Sequence, residues 1–159
     1  MTRAYVGLGA NLGEPRRQVE AALSELAALP GTRLLKASSL YRSAPVGYAH
    51  QPEYVNAVAE LETGLAAPAL LAALQAIESR HGRSRSFANA PRTLDLDILL
   101  FGDAMLSEPG LTIPHPRMHE RAFVLRPLLE IAPDAMIPGR GAAQDLLRAC
   151  VGQNVERIA

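Results

Sequence analysis

The segment Pro91-Arg92-Thr93-Leu94-Asp95-Leu96-Asp97-Ile98-Leu99-Leu100-Phe101-Gly102 sets two carboxylates inside an otherwise apolar run. Its length, its bounding Pro91 and Gly102-Asp103, and its alternation predict a β-strand. Leu94, Leu96, Ile98 and Leu100 fall on one face, Asp95 and Asp97 on the other. Residues two apart on a strand are separated by roughly 6.6 Å. Carboxylates at that spacing can share one or two divalent cations, since Mg²⁺ commonly takes one or two carboxylates plus substrate phosphate oxygens. The competing reading is of solvated charges guarding a sheet edge or paired with arginines. The residues just before the strand favour the metal: Arg80, His81, Arg83, Arg85 and Arg92 follow one another with no acid among them. A cation-rich stretch beside a dicarboxylate is what a polyphosphate and its metal require.

Any anion site here must be local, because 16 basic and 16 acidic residues leave a formal net charge of zero. No global field recruits nucleic acid or an anionic membrane. Cys150 is the only cysteine, which excludes an internal disulfide and suits a reducing compartment. No apolar run approaches about 18 residues, and residues 1 to 10 lack the pattern of a signal peptide. The 159 residues are read as one domain, 1–159, of a soluble cytoplasmic protein.

Along the chain, residues 4 to 9 form a first predicted strand, and Pro15 opens a helix whose Val19, Ala22, Leu23, Leu26 and Leu29 recur at helical spacing. Gly7-x-Gly9 is followed by Gly13 rather than by a glycine at position 12, so the dinucleotide fingerprint fails. These glycines are read as permitting turns and close backbone approach. Strands are predicted over 33 to 41 and 54 to 63, joined by a long aperiodic connection of the kind that often carries function. On the later strand Val55, Ala57, Ala59 and Leu61 make the core face, and Tyr54, Asn56, Glu60 and Glu62 the other. Pro68 opens a second helix with a Leu70, Leu71, Leu74, Ile77 stripe, which leaves Gln75 and Glu78 on solvated surface. Residues 103 to 110 are turn-like, 111 to 113 extended, and 142 to 151 a last helix. His115 and His119 are four apart, but Pro114, Pro116 and the missing general-base glutamate argue against zinc. His115, Arg117 and Arg121 are read instead as cations around an anion near a helix N-terminus.

The exact words of five segments then matter. Tyr5-Val6-Gly7-Leu8-Gly9-Ala10-Asn11-Leu12-Gly13, Tyr41-Arg42-Ser43-Ala44-Pro45-Val46-Gly47, Gln51-Pro52-Glu53-Tyr54-Val55-Asn56, the acidic strand, and Ile113-Pro114-His115-Pro116-Arg117-Met118-His119-Glu120-Arg121-Ala122-Phe123 stand in the order found in one family. The chain resembles 6-hydroxymethyl-7,8-dihydropterin pyrophosphokinase from about residue 4 to about residue 134. That resemblance implies an α/β fold of α+β, ferredoxin-like type, an antiparallel sheet with helices packed on it. It also implies transfer of pyrophosphate from ATP to the pterin hydroxymethyl group in folate biosynthesis, with release of AMP.

Carried over residue by residue, the resemblance gives Asp95 and Asp97 two Mg²⁺ ions, with Arg83 and Arg92 as further catalytic groups. Gln75, Glu78, Arg83, Arg85, Arg92, Ile98, Thr112, His115 and Arg121 would meet the ATP. Tyr54 and Phe123 would sandwich the pterin and Asn56 hydrogen-bond it, assisted by backbone groups of Ser43 and Val46 with Pro45 between them and by Asp95. Small-molecule partners only, without nucleic acid or membrane, and a monomer are expected. The chain departs from the family in two places. Asn89-Ala90 stand where Trp-Gly is usual, so closure of the arginine stretch over substrates, mobile without them, is expected to be built differently, with Phe87 a candidate. Gly110 stands where some members carry arginine. Two rival readings keep parts of the pattern: a Mg-dependent phosphohydrolase or nucleotidyl transferase using the same aspartates, and a non-catalytic ferredoxin-like binding module such as an RNA-binding domain. Neutral charge and the absence of an aromatic RNP pattern weigh against RNA.

Overall fold

The computed structural model describes residues 1–43, 54–82 and 94–158. Its elements are β1 (Thr2–Ala10), α1 (Pro15–Ala27), β2 (Thr32–Ala37), β3 (Tyr41–Ser43), β4 (Tyr54–Thr63), α2 (Ala67–Arg80), β5 (Asp95–Phe101), β6 (Leu106–Glu108), β7 (Leu111–Ile113), α3 (Ala122–Ile131), β8 (Met136–Ile137), β9 (Gly141–Ala142), α4 (Ala143–Arg148) and β10 (Val155–Arg157). Among the described residues the main sheet has six strands in the order β10-β3-β4-β1-β5, with β2 also on β4, and every pairing in it is antiparallel. The β1-α1-β2, β4-α2-β5 succession with β1 and β4 central is the ferredoxin-like plan.

Both faces of the sheet are covered. Val19, Ala22 and Leu26 of α1 and Leu70, Leu74 and Ile77 of α2 are fully buried against Val6, Leu8, Ala57, Leu61, Leu96 and Ile98. Each of the valine, leucine and isoleucine side chains among them contributes about 1.5–3 kcal/mol on burial. On the opposite face Leu125, Leu128 and Ile131 of α3 pack with Val58, Leu99 and Leu100. That second layer corrects two expectations for β4. Asn56 and Glu60 lie on the face read as open, yet are only 5% and 4% exposed. Glu60 is tied down by the Tyr5 hydroxyl, which donates to its Oε1 at 3.2 Å, and by Arg3 Nε at 3.4 Å from its Oε2.

Other boundaries moved for local reasons. The single strand expected over 33 to 41 is two, β2 and β3, because the chain breaks step at Ser38, whose amide donates to Val58 O while its hydroxyl accepts from Val58 N. Residues 103 to 110 are not all turn: β6 pairs with β7 through Pro109-Gly110, and Gly110 takes φ +78°. A left-handed residue after proline is the type II arrangement. The last helix is shorter than expected, Ala143–Arg148. In β5 the alternation fails at Leu100. Val6 faces Ile98 while Tyr5 faces Leu100, so Leu99 is the extra residue of a bulge. Leu99 and Leu100 therefore both join the α3 side, and Phe101 returns to the α1/α2 side.

Glu130 joins α3 to β3 by accepting from the Ser39 amide and hydroxyl and from the Tyr41 hydroxyl at 2.6 Å. Burial, then the Glu130 bond and charge, push the Tyr41 phenol up to about 12; burial and Glu60 do the same for Tyr5. A raised folded pKa stabilises below the unfolded value of 10 and loses that contribution as pH climbs toward about 12. The denaturant midpoint is therefore expected to fall over that interval, and less steeply in Tyr41→Phe, as urea titrations at stepped pH would record. At the acid end the hydrogen bonds from Tyr41 and Ser39 outweigh desolvation and depress the Glu130 carboxyl. Its contribution is present above the ordinary carboxylate range and lost as pH falls through it.

Candidate active site

On β1, side chains at Val6 and Leu8 point to the α1/α2 layer, so Gly7 and Gly9 face the other way, toward the α3 side. The register then sets two rows across the sheet. Gly9 stands between Asn56 of β4 and Asp95 of β5, and Gly7 between Val58 and Asp97. Tyr41 extends the first row onto β3. With strands spaced about 4.8 Å apart, Asn56 and Asp95 stand about 10 Å apart across a glycine. The floor between the amide and the carboxylate is bare backbone. A methyl group on Gly9 would lie 3.1 Å from Asn56 Nδ2, and one on Gly7 would lie 3.3 Å from Leu99 Cδ2. The sequence pattern had suggested close approach at these glycines, without placing them inside a site. The signal was their two-residue spacing, but reading it required knowing that β1 is central.

The amide of Asn56 is oriented: the Ser43 hydroxyl donates to its Oδ1 at 2.6 Å, with both side chains buried. This adds a side-chain role to a residue for which the resemblance implied backbone contacts. Ser43→Ala leaves that oxygen short of a donor, a loss of about 1–3 kcal/mol for a buried polar group. With Asn56 as the pterin partner that the resemblance implies, pterin affinity is expected to fall by about tenfold, with the ATP KM unchanged and Ser43→Thr restoring the wild-type value in steady-state assays. Tyr54, half-buried, shares the Asn56 face by its two-residue spacing. Phe123 opens α3 over the same side, packed near Tyr41 and Ala122, and the Arg121 guanidinium sits 5.5 Å from its ring centroid.

Asp95 and Asp97 share the α3 side of β5 as expected, and neither is buried. His115 reaches the same place because its amide donates to Leu99 O at 3.0 Å, which puts Nε2 3.9 Å from Asp97 Oδ2. Here the cationic reading of His115 is corrected. Burial first, and the Arg121 and Arg117 charges next, push the imidazole down to about 4, while Asp95 pulls the other way. Its Nδ1 accepts from the Arg117 amide at 3.1 Å, which leaves Nε2 to carry the proton of a neutral ring directed at Asp97. Arginine, not histidine, supplies positive charge at this end of α3.

Of the other predicted nucleotide contacts, Gln75 and Thr112 are exposed, whereas Ile98 turns its side chain into the core and offers only its backbone outward. Glu78 requires a correction to its solvated placement: it is 2% exposed, and its Oε2 accepts from Leu96 N at 2.8 Å. Pro45, Val46, Arg83, Arg85, Phe87 and Arg92, and with them the expected behaviour of the arginine stretch, lie outside the described residues.

Two half-exposed carboxylates on one strand face, bordered by side-chain-free backbone, fit Mg²⁺, which leaves positions for phosphate oxygens. No group of three or more His, Cys, Asp or Glu side chains able to enclose an ion occurs among the described residues.

Comparison with known proteins identifies the family. Residues 5–133 match the family model described as 7,8-dihydro-6-hydroxymethylpterin-pyrophosphokinase. A 2-amino-4-hydroxy-6-hydroxymethyldihydropteridine pyrophosphokinase of Pseudomonas aeruginosa is 53% identical over 156 residues, 98% of this chain and 96% of the relative. One of Haemophilus influenzae is 47% identical over 148 residues, 93% and 92% of the two chains. Among solved structures, an HPPK-DHPS in complex with substrates aligns with a TM-score of 0.77 at 13% identity. Wild-type Plasmodium falciparum HPPK-DHPS with pteroate aligns with a TM-score of 0.74 at 13% identity. Those matches cover 94% of this chain but only 43% and 42% of theirs, and they speak for the fold. By the family match and these two relatives, the chain belongs to the 7,8-dihydro-6-hydroxymethylpterin-pyrophosphokinase family.

Proposed function

We infer that this chain transfers the pyrophosphoryl group of ATP to the hydroxymethyl oxygen of 6-hydroxymethyl-7,8-dihydropterin, giving AMP and the pterin diphosphate, in folate biosynthesis. Relatives named for that pyrophosphokinase activity support the reaction. Within the molecule, the reading is carried by the row Asn56, Gly9, Asp95, in which a recognition amide and an acid face each other across bare backbone. A flat pterin suits the Asn56 end, with Tyr54 and Phe123 as its aromatic neighbours, and the triphosphate suits the Asp95 end.

In the transfer, a bond forms between the pterin hydroxymethyl oxygen and the β-phosphorus, the bridging oxygen leaves with AMP, and the hydroxyl proton is lost. The protein's part is alignment and charge compensation. Two Mg²⁺ ions on Asp95 and Asp97 would neutralise and orient the triphosphate. Arg121, joined by Arg83, Arg85 and Arg92, neutralises its outer oxygens, His115 donates a hydrogen bond through Nε2, and Gln75, Thr112 and the Ile98 backbone meet the nucleoside. The protein works as one domain, as a cytoplasmic monomer with small-molecule partners only. No described helix is long and apolar enough to cross a membrane.

A coupled assay of AMP release with ATP, Mg²⁺ and the hydroxymethylpterin tests the reading. AMP formation that depends strictly on the pterin is the expected result. Phosphate release without pterin would instead identify a hydrolase, and saturable RNA binding without ATP turnover a binding module.

A further inference from the structure

We propose that Glu78 is a positioning residue which, from the last turn of α2, grips the backbone between Asp95 and Asp97 and so sets the metal-binding carboxylates before any ion arrives. The inference rests on the metal reading of those aspartates given above. Glu78 is the one acid among the buried residues of α2, whose others are Ala67, Leu70, Leu74 and Ile77. A buried carboxylate is costly unless hydrogen-bonded, and an apolar residue there would serve packing better. Its Oε2 accepts from a backbone amide, Leu96 N, at 2.8 Å.

The location of that amide gives the bond its meaning. Leu96 separates the two aspartates, and its own side chain is sealed in the core at 4% exposure. β5 is the last strand of the sheet on its side, with β1 as its sheet neighbour among the described residues. Successive amides on a strand point to opposite edges, so an outward-pointing Leu96 N–H leaves those of Asp95 and Asp97 directed toward β1. The Asp95-Leu96-Asp97 backbone is thus held from both edges, by β1 on one and by α2 on the other. A charged acceptor makes the outer bond a strong one. The acid that sequence spacing leaves on a solvated surface thus acts through the strand on the metal site. Sites held by a second layer of hydrogen bonds lose little order when the ligand binds.

Three variants separate this role from others. Glu78→Gln keeps an acceptor oxygen at the same reach, Glu78→Asp keeps the charge but falls a methylene short of Leu96 N, and Glu78→Leu keeps neither. Calorimetric titration of Mn²⁺ in the presence of α,β-methylene-ATP reads metal affinity without turnover. Loss of a group that supports metal ligands typically costs about 10–100-fold in affinity. That loss is expected for Glu78→Leu and Glu78→Asp, together with faster hydrogen exchange at the Leu96 amide and an unchanged pterin KM. Glu78→Gln is expected within about threefold of wild type, half a power of ten or under 1 kcal/mol. Unchanged Mn²⁺ affinity in Glu78→Asp, or a Glu78→Gln as damaged as Glu78→Asp, overturns the proposal; these two decide if Glu78→Leu does not fold. If the wild-type protein releases no AMP with the pterin, the functional reading falls, and the Mn²⁺ titration and Leu96 exchange still decide the role of Glu78.

Discussion

Asp97→Ala is expected to lower pterin-dependent AMP release by at least about 10²-fold while leaving the fold intact, the size of effect that follows loss of electrostatic stabilisation of a developing phosphoryl charge. Asp97 lies in a strand paired to β1 through Gly7, and its side chain is 38% exposed. Surface substitutions of that kind usually change stability by no more than about 0.5 kcal/mol. A thermal melt and a kcat measurement on the same preparation therefore separate folding from chemistry. Asp97→Asn keeps the shape and removes the charge, so it is expected to be nearly as impaired. Undiminished activity in either variant would remove the carboxylate pair from the mechanism. A loss that tracks the melting temperature would make Asp97 a structural residue instead.

The second large effect is expected from a methyl group. Gly9→Ala places a Cβ 3.1 Å from Asn56 Nδ2, on an amide whose Oδ1 is already held by the Ser43 hydroxyl, so the group cannot yield freely. Overpacking costs about 1–3 kcal/mol, or about 5–150-fold in affinity if it falls on the bound pterin. The pterin KM is expected to rise within that range and the ATP KM to stay near its wild-type value. Gly7→Ala is the control. Its Cβ would press on Leu99 rather than on the amide, so it should cost stability without touching the pterin KM. Equal pterin affinities in wild type and Gly9→Ala would mean that the ring does not lie over this floor.

The sequence was most informative where period and chemistry coincide. The alternation of residues 94 to 98, the helices at Pro15 and Pro68, and the full extent of β4 follow from local spacing, and all are present. What local spacing could not reveal is that a second layer, α3, would cover the other face of the sheet. Glu60 and Asn56 were misread for that one reason, since a residue opposite a core face looks solvated until something packs there; Leu100 changed sides because of the bulge at Leu99. Glu78 belongs to the same class, since nothing in the helix repeat announces that β5 begins beside it. The neutral state of His115 was out of reach for a different reason, because it depends on Arg117, Arg121 and burial acting together in space. For the candidate site, Asp95, Asp97, Asn56 and Phe123 were legible from motif words, whereas Gly9 as the floor between them required the register of three strands.

The bulge at Leu99 has a further consequence for how this chain can vary. One surplus residue halfway along β5 absorbs a change of step, so the half that carries Asp95 and Asp97 keeps its own phase against β1 whatever follows it. An insertion or deletion in the β6–β7 hairpin would then leave both acids in the site. A deletion at position 99 itself would straighten the ladder and force a choice between the aspartates and Phe101 over which end of the strand keeps its phase.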